Sequence, residues 1–141
     1  MKKIIKGQCL CQKVQYQLHD KPKAAGYCYC KSCQIKSGSD HIVYLALEKN
    51  SVTIDGPVKW YKTTGDSGKA KQHGFCSECG STLFAKPELW PHIMIVYTGS
   101  LLDSSQYKPK INLWMQDAPR WACPNKLLET YDRNPDKRTN K

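Results

Sequence analysis

The chain has 141 residues, enough for one domain with a modest core at 40% hydrophobic content. Its 22 Lys and Arg outnumber 12 Asp and Glu, for a formal charge of +10, so nucleic acid is the first partner suggested and an acidic ligand the next. The apolar run Ile93-Met94-Ile95-Val96 is far too short to span a bilayer.

The N-terminus, MKKIIKGQCL, lacks the apolar stretch of a secretory signal, and we expect a soluble, cytoplasmic protein. In that reducing setting, eight cysteines more often bind metal than pair as disulfides. Between Met1 and Lys36, eight lysines face the single acid Asp20. Seven ligand thiolates and two zinc ions would bring the charge down to about +7. A basic surface of that size suits any anion, including a small acidic thiol.

Cys9-Leu10-Cys11 comes first, with spacing that points both sulfurs the same way in an extended segment. Val14, Tyr16 and Leu18 then alternate with Gln15 and Gln17 as a half-buried strand. Cys28-Tyr29-Cys30-Lys31-Ser32-Cys33 supplies three thiols from six residues. His41 to Leu47 reads as a more buried strand, and Val52-Thr53-Ile54, Val58 to Tyr61 and His92 to Thr98 as further short ones.

Turns are expected at Asp55-Gly56-Pro57, from Thr64 to Gly68, and at Thr98-Gly99-Ser100. Cys76-Ser77-Glu78-Cys79-Gly80 is a knuckle in which Gly80 lets backbone N–H groups approach the sulfurs. Glu88-Leu89-Trp90 suits a single helical turn. Cys123 stands apart and is expected to be a small core residue, with Trp114 and Ala118-Pro119-Arg120-Trp121 as fixed packing around it. After Lys126 the residues are charged, and the last ten are expected to fray. Many short strands without a long helix make the fold mainly β. We place one domain at 1–125 and a charged tail at 126–141.

A redox role for Cys30 with Cys33, or Cys76 with Cys79, would call for a βαβ neighbourhood, which the pattern lacks. Seven thiols can be divided in several ways between two ions. Four thiolates close a structural zinc, whereas three leave a fourth place for water or substrate; His73, His41 or water can fill it.

Three segments in order resemble the glutathione-dependent formaldehyde-activating enzyme family, the S-(hydroxymethyl)glutathione synthases, which includes centromere protein V relatives. They are Gly7-Gln8-Cys9-Leu10-Cys11 with Val14, then Cys28 to Cys33 with Ser37-Gly38-Ser39, then Phe75 to Ser81, and the likeness runs from Gly7 to about Trp121. The resemblance implies a zinc-stabilised β-tent of short antiparallel strands. It also implies one structural zinc on Cys9, Cys11, Cys76 and Cys79, and a second, catalytic zinc on Cys28, Cys30 and Cys33.

The activity it implies is carbon–sulfur lyase or synthase chemistry on glutathione and formaldehyde, with Lys31, Lys36 or Lys71 as partners for glutathione carboxylates. Members often carry Arg where this chain has Gln34, and the surroundings of Asp40-His41 are also unusual, so the particular aldehyde or thiol stays open. The alternative is a zinc-stabilised binding module presenting Tyr27, Tyr29, Trp60 and Tyr61 among lysines to nucleic acid.

Overall fold

The computed structural model describes residues 3–65 and 67–135. Eleven strands and one short helix follow in chain order: β1 (Ile5–Gln8), β2 (Gln15–Leu18), β3 (Ala24–Cys28), α1 (Lys31–Ser37), β4 (Ile42–Glu48), β5 (Val52–Asp55), β6 (Val58–Thr64), β7 (Ala70–Cys76), β8 (Thr82–Pro87), β9 (Ile93–Tyr97), β10 (Ile111–Leu113) and β11 (Glu129–Thr130). The mainly β reading holds. Among the described residues no helix is long and apolar enough to cross a membrane.

The chain forms two compact units, each discontinuous in sequence: Met1–Ala24 with Leu45–Tyr107, and Ala25–Tyr44 with Lys108–Lys141. In the first, β2 lies between β1 and β5, antiparallel to both. Its alternation does what the sequence implies: Tyr16 and Leu18 are buried while Gln15 faces outward. Strands β6, β7, β8 and β9 pair antiparallel in succession. Val14, Leu83, Phe84 and Val96 are wholly buried, and Tyr16 meets Phe84 edge-on with ring centroids 5.0 Å apart. Residues 88–92 form a turn rather than a helical one, with the Trp90 N–H donating to the Pro87 carbonyl at 3.2 Å.

Gly7 pairs with Tyr16 across β1 and β2. A Cβ on Gly7 would lie 2.1 Å from Tyr16 Cζ, and that ring is pinned by a 2.6 Å hydrogen bond between its hydroxyl and Ser100. Gly7→Ala is expected to destabilise the protein by about 3 kcal/mol through overpacking. Urea unfolding measures it, and a loss below about 0.5 kcal/mol would show that the ring can move.

In the second unit β3 lies between β10 and the first residues of β4, and β11 lies on the other side of β10. Here the expectation of antiparallel strands fails, because β10 runs parallel to both β3 and β11. Parallel neighbours need long connections, and this one is supplied by the chain between β3 and β10. The segment after Lys126 also departs from a free tail: β11 lies in it, and the Tyr131 N–H donates to the Asn112 carbonyl at 2.9 Å. The expected fraying over 132–141 falls largely on residues 136–141, outside the described residues.

Candidate metal centres

The first cluster is built from two facing turns. After β1 the chain turns through Cys9 and Cys11, with the Gln12 N–H donating to the Cys9 carbonyl at 3.1 Å. Beyond β7, the Gly80 N–H donates to the Cys76 carbonyl at 2.9 Å, and Gly80 has φ 76, a left-handed conformation that costs glycine nothing. The turns bring Cys9, Cys11, Cys76 and Cys79 together, all four sulfurs lying within 4.8 Å of one another. Cys9 to Cys11 is 3.5 Å and Cys11 to Cys76 is 3.8 Å. Tetrahedral zinc with bonds of about 2.3 Å sets sulfurs about 3.8 Å apart, so the donor set fits.

Backbone donors are already aimed at these sulfurs. The Val14 N–H reaches Cys9 Sγ at 3.2 Å, and those of Glu78 and Cys79 reach Cys76 Sγ at 3.4 and 3.5 Å. Ser81, the last residue of the third matching segment, ties the turns together. Its hydroxyl lies 3.1 Å from Cys79 Sγ and accepts from the Leu10 N–H at 2.9 Å. The Ser81 hydroxyl, then the N–H groups of Cys11 and Ser81, hold the Cys79 thiol down at about 5. A groove of about 650 Å³ beside this cluster has no charged side chain in its lining.

The second cluster gathers Cys28, Cys30 and Cys33 in the second unit, again with all sulfurs within 4.8 Å. Cys28 ends β3, and Cys30 caps α1, its sulfur accepting from the Cys33 N–H at 3.4 Å. Hydrogen bonding to Cys30 and Cys33, then burial, push the Cys28 thiol strongly up. Three thiols in this space cannot all ionise without a cation among them, and a zinc ion held by three cysteines fits.

Gln34 holds the loop to its surroundings. Its amide donates to the Tyr29 carbonyl at 2.8 Å and to the Asp117 carbonyl at 2.9 Å. Gln34→Ala removes both bonds, which tie the cysteine loop to the segment after β10. We expect the second site to lose about 10-fold in zinc affinity, as removal of outer-shell partners usually does, with the first site unchanged. Chelator competition measures both.

Neither candidate histidine joins a cluster. His73 is buried in β7 with Nε2 2.8 Å from the Thr63 hydroxyl, in the first unit. His41 pairs with Asp40 at 2.6 Å and lies edge-on to Tyr27, with centroids 5.2 Å apart. Tyr27 alternates with Cys28 along β3, so its ring and His41 occupy the face away from the sulfur.

Cys123 is exposed, not a core residue: its segment is a series of surface turns, and the neighbouring Trp121, expected as packing, is 70% exposed. Trp114 is the better anchored, its indole donating to Asn134 at 2.9 Å. Lys31 and Lys36 flank the second cluster on α1, whereas Lys71 belongs to the other unit. Of the four aromatics named with the lysines, Tyr61 is exposed and Tyr27 half-buried. Tyr29 is buried, and Trp60 stacks on Phe84 with Lys86 Nζ 3.8 Å from its ring centroid.

The family model for glutathione-dependent formaldehyde-activating enzyme matches residues 4–117. The chain belongs to this family. Both cysteine clusters of the formaldehyde-activating-enzyme domain lie within the matched span. A Rhodobacter sphaeroides protein of known crystal structure is similar in fold, with a TM-score of 0.55 and 20% identity over 69% of this chain and 87% of that one. No curated protein gives a significant match.

Proposed function

We propose that the chain joins glutathione to formaldehyde as S-(hydroxymethyl)glutathione, a carbon–sulfur lyase reaction run in the synthetic direction, at Cys28, Cys30 and Cys33. One observation carries this reading: among the described residues three sulfurs converge there and no fourth protein ligand joins them. In the first cluster four sulfurs converge, the complement of a closed structural zinc. A zinc ion on the three sulfurs would keep one place for a substrate thiol and stabilise it as thiolate.

The protein's own residues then hold the thiol beside the aldehyde. Cys30, as the cap of α1, and Gln34, through its two carbonyl contacts, fix the positions of the sulfurs. Lys31 and Lys36 offer cationic partners to the glutathione carboxylates from the same helix. Three thiolates leave zinc a weak Lewis acid and a bound thiolate a poor nucleophile, so proximity is the main contribution.

Free thiols add to formaldehyde unaided, so the test is adduct formation above the spontaneous rate, followed by exchange NMR. A rate that saturates with glutathione supports the proposal. No increase over buffer with a protein carrying two zincs would overturn it.

A further inference from the structure

The β3 face that carries Cys28 also carries a side chain outside the ligand set. Gly26 and Cys28 are two residues apart on the strand and point the same way. The ring of Tyr44, from the neighbouring β4, lies across the bare backbone at Gly26. A Cβ there would fall 2.8 Å from the Tyr44 hydroxyl and 3.0 Å from its Cε1, with Ile111 Cγ1 also at 2.8 Å. Same-face neighbours in a strand are roughly 7 Å apart, so Gly26, over which the hydroxyl lies, is one same-face step from Cys28.

Among the described residues the hydroxyl has no hydrogen-bond partner. Tyr44 is half-buried, and its hydroxyl is not among the polar atoms sealed from solvent without a partner, so a ligand can reach it. A phenol holds its proton at neutral pH. Tyr44 is therefore a hydrogen-bond donor on the face of β3 that carries Gly26 and Cys28.

We propose that the Tyr44 hydroxyl donates a hydrogen bond to the oxygen of the aldehyde-derived group at the Cys28, Cys30 and Cys33 cluster. The inference rests on reading that cluster as the place where the substrate thiol is held. As the carbon–sulfur bond forms, the carbonyl π pair moves onto oxygen, and the oxygen takes up the proton that the thiol gave away. Tyr44 keeps its own proton and stabilises the charge that passes through the oxygen. The bare backbone at Gly26 lets the ring lie where it does, and Ile111 limits the space beside it, so the site favours a small aldehyde.

Calorimetric titration of the zinc-loaded full chain with 2-mercaptoethanol and with ethanethiol tests this without turnover. The two thiols differ in one hydroxyl. The native protein is expected to bind the hydroxylated thiol about 3- to 10-fold more tightly, the worth of one net hydrogen bond. In Tyr44→Phe the preference should vanish while ethanethiol affinity, zinc content and melting temperature stay the same. A preference that survives in Tyr44→Phe, or no preference in the native protein, overturns the proposal. Failure of the glutathione reading shows elsewhere, as absence of saturable adduct formation in the native protein.

Discussion

Cys76→Ser is expected to leave the chain unfolded, with its far-UV circular dichroism collapsed and the first zinc lost. Cys76 is fully buried at the end of β7 and lies 3.8 Å from Cys11, 65 positions away in sequence. Closing a loop of that length with a cross-link removes about 4 kcal/mol of chain entropy from the unfolded state. Binding of a structural zinc is worth on the order of 10 kcal/mol, as large as the whole net stability of a typical domain. A serine hydroxyl stays protonated and is no substitute, and the N–H groups of Glu78 and Cys79 would lose the sulfur they approach. A cooperatively melting Cys76→Ser protein would mean that the first cluster does not hold the fold.

Cys30→Ser should behave in the opposite way: folded, carrying one zinc instead of two, and forming the adduct no faster than buffer. The sulfur of Cys30 caps α1, and serine is among the preferred residues for that position, so the helix start survives the exchange. What disappears is one of three ligands. Zinc content by atomic absorption beside the melting curve separates the outcomes. Retention of both zincs, or unfolding as complete as for Cys76→Ser, would remove the distinction between a structural site and a working one.

Strands whose burial follows a simple period were legible from residue order. β2 alternates Tyr16 and Leu18 with glutamines, and β4 is rich in branched apolar residues. β7 was not, because a buried histidine takes an apolar position; His73 Nε2 lies 2.8 Å from the Thr63 hydroxyl on the strand beside it. β3, with the sequence AAGYC, hid its role for a related reason: its core-facing position is a glycine covered by rings and chains from β4 and β10. α1 has seven residues and a cysteine as cap, so neither a helical period nor the usual Ser, Thr, Asp or Asn signal announced it.

The three cysteines of the second cluster were readable because they are local. The four of the first were not divisible by spacing, since Cys11 and Cys76 meet only after two turns are folded against each other. The resemblance to the family proposed that grouping; the four sulfurs lie within 4.8 Å of one another. Tyr44 and Gln34 carry no signal in one dimension; each matters through the backbone it covers or bridges.

The parallel pairing of β10 with β3 sets a timetable for the chain as it leaves the ribosome. Cys28, Cys30 and Cys33 emerge early, but the strand that aligns with Gly26, Tyr27 and Cys28 is not made until residues 111–113. Cys79, by contrast, completes the first cluster well before that point. The cluster that spans Cys9 to Cys79 should therefore take its metal before the one at Cys28 to Cys33 is framed. Cys28, Cys30 and Cys33 wait, reduced, for a strand made only when nearly all of the sequence up to residue 113 is out.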